Sequence, residues 1–197
     1  MRKFKALLIC FVLQQSILFS QENIVYGIDT TESKAIFNYL QKVRQKNIGK
    51  SDPMYKYVKN QGKLPLLVWN DTLAQVARTK AEYMADHNHF DHVDLLGKGI
   101  NYYISKAGYE LDENWLDDPE NNYFESLQAG YSSGVGAVQY LIIDKGIPGN
   151  GHRKHLLGQD DWNFKNVDIG AAFYRTDPNS RADYSTYTVI IIARHRY

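Results

Sequence analysis

The chain has 197 residues, 44% of them hydrophobic and 23% charged, with a formal net charge of +1. That is the profile of a single globular domain. Because there is no basic run interleaved with aromatics, the electrostatic footprint of a nucleic-acid binder is excluded.

The chain opens on a pattern that reads as a secretory leader over residues 1–20. Arg2, Lys3 and Lys5 form a positive start, Ala6 to Leu13 an apolar run, and Ser20 a small residue suited to the position before cleavage. Gln14-Gln15-Ser16 interrupts the apolar run, which is too short and broken to make a comfortable membrane span. An uncleaved anchor is the alternative. No other segment is long and apolar enough to cross a bilayer. Cleavage near Ser20 predicts a secreted or periplasmic domain over residues 21–197, with 20 basic side chains against 22 acidic, a net charge of −2. The one cysteine, Cys10, falls inside the leader. Ile9 before it is too large for a lipid-attachment site. The mature chain would then lack disulfides and thiolate ligands, and its own core must hold it together.

Asp29-Thr30-Thr31-Glu32 is a capping signal. Behind it Ile36, Phe37, Leu40 and Val43 keep helical spacing to about Gln45. Residues 46–66 read as a connecting loop. Asn70 caps a second helix, in which Leu73, Val76, Ala77, Ala81 and Met84 run to about His87. Residues 88–122 read as irregular, with a solvated acidic run from Asp112 to Glu120, and Tyr123 to Gln128 as a short strand. Ser132 or Ser133 caps a third helix with Val135, Val138, Leu141 and Ile142 on its apolar face, ended by Asp144-Lys145-Gly146. Val167–Tyr174 and Tyr187–Arg194 alternate as strands, joined through the polar stretch Asp177 to Asp183. Helices followed by a C-terminal β-hairpin give an α+β layout.

Six histidines carry the candidate chemistry: His87, His89 and His92 in one run, His152 and His155 in another, and His195. Neutral imidazole suits zinc, copper, nickel or iron, and spacings of two and three residues could chelate locally. The alternative is a set of polar side chains near helix ends. Glu125 lies in the apolar run Tyr123-Phe124-Glu125-Ser126-Leu127, facing either a pocket or solvent. Asp144, at a helix C-terminus, is unfavourable for the helix dipole, so another group is expected to hold it. There is no Gly-x-Ser-x-Gly elbow, no His-Glu-x-x-His helix and no phosphate-binding glycine loop.

In order, these pieces resemble the CAP superfamily of cysteine-rich secretory proteins, antigen five and pathogenesis-related proteins, and most of all its cysteine-free bacterial SCP-like branch. The resemblance spans roughly residues 33–195. It is carried by the helix Leu73 to Ala85 leading into Phe90-Asp91-His92, by Ala107-Gly108-Tyr109, by Phe124-Glu125-Ser126-Leu127, by Gly151-His152-Arg153-Lys154-His155-Leu156-Leu157 and by Val167-Asp168-Ile169-Gly170-Ala171-Ala172. It implies an α-β-α sandwich with a groove holding two histidines and two acids. Carried over by position, His92 and His152 are the imidazoles that could hold a divalent metal, usually zinc, and Glu125 is the first acid. The family's second glutamate has no counterpart on the third helix, where Asp144 is the only acid and takes the place. His155 falls where the family has asparagine and is read as a bystander.

Three readings follow. The first is a secreted, non-enzymatic domain binding a small hydrophobic ligand or a protein partner in a groove of His92, Glu125, Asp144 and His152, lined by aromatics from residues 102–140. The second is a metal-assisted hydrolase with zinc on His92 and His152 and Glu125 as candidate general base. In the third the same polar groups are structural hydrogen-bonding partners.

Overall fold

A computed structural model describes residues 26–195; the leader and Cys10 lie outside them. The centre is a five-stranded sheet of β1 (Gly27–Ile28), β2 (Val68–Trp69), β3 (Glu125–Ala129), β4 (Asp168–Arg175) and β5 (Thr186–Ala193). Its order is β1-β4-β5-β3, antiparallel throughout, and β2 pairs in parallel with the start of β4 on the same side as β1. Among the described residues β3 therefore has a partner strand on one side only.

Strand alternation sorts the core into two layers. Ile169, Ala171, Phe173, Ile190 and Ile192 pack with Ile36, Leu40, Val138, Leu141 and Leu156 from the helices α1 (Thr30–Arg44), α5 (Gly134–Ile143) and α6 (Gly151–Leu157). Ala172, Val189, Ile191 and Ala193 face the other way, against Leu73, Ala77, Ala81 and Met84 of α3 (Asp71–Asp86) and Ile100 and Ile104 of α4 (Ile100–Lys106). Two short helices, α2 (Tyr55–Val58) and α7 (Asp161–Phe164), complete the set. The result is the expected α-β-α sandwich. With helices on both faces, all of β5 is buried, which explains its unbroken β-branched run Val189-Ile190-Ile191-Ile192.

The caps work as their residue types require. Asp29 accepts from the N–H groups of Thr31 and Glu32, Asn70 from Leu73, and Ser133 rather than Ser132 from Gly136. Glu32 does not fold back on its own cap. Its Oε2 accepts from the N–H of Gly134, 2.7 Å away, and so ties the start of α1 to the start of α5. At Gly134 a Cβ would come within 2.6 Å of Ile36 and 2.7 Å of the Glu32 carbonyl, so only glycine lets these helices approach.

Several expectations need correction. The expected loop 46–66 contains α2, with Met54 and Val58 fully buried, and the irregular stretch 88–122 contains α4. On α5 it is Ala137, not Val135, that joins Val138, Leu141 and Ile142 in the buried face.

Candidate ligand groove

The groove runs along the free side of β3, between the two helix layers. It has a volume of about 570 Å3, and its lining includes Leu127, Gln128 and Ala129 from the strand, His92 from the loop after α3, and Asp144 and His152 from the α5–α6 junction. His92 and His152, 60 positions apart, thus face one cavity from opposite layers.

Each imidazole is fixed by a buried carboxylate. His92 Nδ1 lies 2.8 Å from Glu125 Oε2, and His152 Nδ1 lies 2.8 Å from Asp144 Oδ1. The histidine side chains are 40% and 25% exposed, whereas the two acids are 0% and 1% exposed. An ionised carboxylate only accepts, so each Nδ1 carries a proton, and in the neutral ring the lone pair is left on Nε2. Among the described residues neither Nε2 has a hydrogen-bond partner. Glu125 stands behind His92 and does not itself line the groove. It orients the ring.

Asp144 resolves its own anomaly. It is the C-cap of α5, in a left-handed conformation with φ of 51°. Its carboxylate lies at the wrong end of α5 but at the favourable end of α6, where it also accepts from the N–H of Arg153 at 3.2 Å. In return the Arg153 guanidinium donates to the carbonyls of Ile142 and Ile143, the last of α5. The His152-Arg153 pair therefore closes the α5–α6 turn from both sides. On the other wall, the buried Lys80 of α3 donates to the His92 carbonyl at 2.9 Å and holds that loop in place.

The remaining histidines are engaged outside the groove. His87 Nδ1 meets the Tyr83 carbonyl and His89 Nε2 the Val93 carbonyl, so these rings are occupied by backbone. His195 pairs with Asp168 and stacks on Tyr109, away from the groove. His155 lies outside the groove too, yet it is no idle surface residue. It is buried under the sheet, with Nδ1 2.7 Å from Ser126 Oγ and Nε2 3.4 Å from the Ile192 carbonyl. Burial pushes its pKa down to about 3, so the ring is neutral. Nε2–H then donates to the carbonyl and Nδ1 accepts from the serine hydroxyl.

The aromatic lining departs from expectation. Of the aromatic residues in 102–140 only Tyr131 and Tyr140 reach the groove, and they pack together at 5.0 Å. Phe90 and Tyr184 form the opposite wall, 5.6 Å apart. Tyr184 arrives at the end of the β4–β5 connection, which the chain pattern gave no reason to place here. Tyr103 borders a separate cavity of about 240 Å3 between α3 and α4. Trp115, Tyr123 and Phe124 gather instead around Trp162.

A zinc ion is chemically compatible with this donor set. The free Nε2 groups, each backed by a carboxylate on Nδ1, have the supporting arrangement typical of metal-ligating histidines. Among the described residues no group of three or more histidines, cysteines or acids converges. The fit is to two imidazoles, with water or ligand completing the coordination, and not to a closed four-ligand structural site.

The sequence matches the model of the cysteine-rich secretory protein family, CAP, over residues 37–191. Two solved structures share the fold. An outer surface protein from Borrelia burgdorferi is 18% identical with a TM-score of 0.58, covering 87% of this chain and 100% of its own. An extracellular protein containing an SCP domain from Bacillus anthracis is 22% identical with a TM-score of 0.53, covering 84% of this chain and 41% of its own. No curated protein matches the sequence.

Proposed function

The chain belongs to the cysteine-rich secretory protein family, and from that premise we propose that it is an extracytoplasmic, non-enzymatic binding domain. Its groove takes a small hydrophobic ligand or a protein partner around His92 and His152, which together accept one divalent metal, zinc in the first instance. The carrying observation is the symmetry of the two imidazoles. Each is partly exposed, each has Nδ1 tied to a fully buried carboxylate, and both line one groove. The leader pattern supports export, as do the outer-surface and extracellular descriptions of the two structural relatives. Among the described residues no helix is long and apolar enough to cross a membrane.

The metal-assisted hydrolase is the weaker reading. A general base must reach the proton it removes. Glu125 instead lies behind His92 with one oxygen on its ring, which is an orienting position. The test of the proposed site is calorimetric titration of zinc into the purified domain and into the His92→Ala/His152→Ala double variant. One zinc per chain is expected for the parent and none for the variant. Equal affinity in both would remove the two-histidine site.

A further inference from the structure

We infer that the groove receives an extended polypeptide, which adds as a further strand to the free edge of β3; this rests on reading the groove as a ligand site and selects its ligand class. In an antiparallel ladder alternate residues turn their N–H and C=O toward the partner strand. Phe124 O accepts from Ile192 N, and Gly130 N donates to Thr186 O. The even-numbered residues of β3 are therefore the ones bonded to β5. Glu125, Leu127 and Ala129 turn their backbone groups to the other side, and Leu127 and Ala129 border the groove. Among the described residues the only partner on that side is the Gln128 side chain, whose Nε2 donates to the Ala129 carbonyl.

A second observation points to the same ligand. Gln128 is 5% exposed, lines the groove, and has an Oε1 that is buried without a hydrogen-bond partner. A buried acceptor left unpaired is costly. A hydrocarbon ligand would leave it unpaired, together with the Leu127 N–H and carbonyl. A peptide backbone carries N–H donors and C=O acceptors at the strand period; it pairs with the Leu127 N–H and carbonyl, and a rotation of the Gln128 amide brings Oε1 to it. The geometry also suits the side chains of such a strand, which alternate between two faces. One face would meet His92, Phe90 and Tyr184, the other Tyr140 and His152. The five residues of β3 offer an edge about 17 Å long.

The probe is a phage-displayed library of random seven-residue peptides, selected on the purified domain. The best peptide is then synthesised with single N-methyl groups and added to 15N-labelled protein. The amides of Leu127 and Ala129 are expected to gain at least tenfold protection from hydrogen exchange, while Ser126 and Gln128 stay as they were. N-methylation should weaken binding about tenfold or more at alternate positions only. Ala129→Pro removes an outward N–H without touching the ladder to β5, so it should weaken the peptide about tenfold and leave zinc affinity unchanged. The inference is overturned if no peptide is enriched on the parent protein. It is equally overturned if an enriched peptide binds without the odd-residue protection and the alternating N-methyl pattern. Zinc titration on the same samples separates the two readings. Zinc binding without peptide binding sinks only the strand addition, and peptide binding without zinc binding sinks only the metal site.

Discussion

His152 and His155 sit three residues apart on one short helix and meet opposite surroundings. His152 leans on a carboxylate at the groove, while His155 is buried between sheet and helix. The sequence pointed to His152 through the glycine-rich turn before it, and Asp144 through its awkward place at a helix end. It said nothing of Ser126 or the Ile192 carbonyl, because contacts across 29 and 37 positions depend on the packing of α6 on the sheet. The enclosure of His155 has a measurable consequence. Unfolded, its imidazole titrates near 6.5; folded, burial holds it to about 3. Between those values only the unfolded chain takes up the proton. The stabilisation is therefore complete above about pH 6.5 and declines as the pH falls, by at most about 1.4 kcal/mol per unit. In His155→Asn that share of the pH dependence should vanish. Urea unfolding at pH 7 and pH 5 should show the parent losing up to about 2 kcal/mol more than the variant over this range. Equal losses in the two proteins would count against a neutral, buried His155.

At the scale of elements, the strongest constraint on α6 comes from a residue that pattern reading passed over. Arg44 lies four positions after Leu40 on the buried stripe of α1 and is 1% exposed. Its guanidinium donates to the carbonyls of Leu156 at 2.8 Å, His155 at 3.3 Å and Asn166 at 3.3 Å. Burial lowers its pKa to about 10, which still leaves it charged at neutral pH. The cation thus satisfies the last carbonyls of α6 and complements the dipole of the helix whose first turn carries His152. The spacing Ile36-Leu40-Arg44 was a legible clue to burial, but nothing in the sequence named its partners. Lysine has one nitrogen where arginine has a planar fork. Arg44→Lys is expected to strand at least one buried carbonyl and to cost about 2–3 kcal/mol. Chemical denaturation reads this directly, and a loss below about 0.5 kcal/mol would mean that water or lysine replaces the fork.

The long amphipathic helices and the terminal hairpin could be read from the chain because they rest on local periodicity, and the two groove histidines because they stand in motifs that carry the family resemblance. β1 and β2 could not, since two-residue strands have no period and exist only where β4 offers them an edge. The wall of Phe90 and Tyr184 escaped for a similar reason: it is assembled by the return of the β4–β5 connection over the loop after α3. At Gly170 the packing leaves a direct trace in sequence. A Cβ there would come within 2.1 Å of the α3 backbone, so the glycine of Ile169-Gly170-Ala171 marks where helix and sheet touch.

This layered construction determines how a metal would act on the whole molecule. His92 is held by Lys80 of α3 and Glu125 of β3, and His152 by Asp144 in the opposite helix layer. An ion on both rings would bridge the layers across the free edge of the sheet, and would bind only the chain in which both are docked. Mass action then stabilises the folded state by about 2.7 kcal/mol when free zinc is 100 times Kd. For a domain of this size that corresponds to a rise in Tm of roughly 5–10 °C. Magnesium at the same concentration should give no rise, because it prefers oxygen ligands to imidazole. His152→Ala should abolish the zinc effect while keeping the apo protein folded, since the side chain is partly exposed and Asp144 retains its bond to the Arg153 N–H. An equal zinc-dependent rise in parent and His152→Ala would place the ion elsewhere and leave the two layers joined by packing alone.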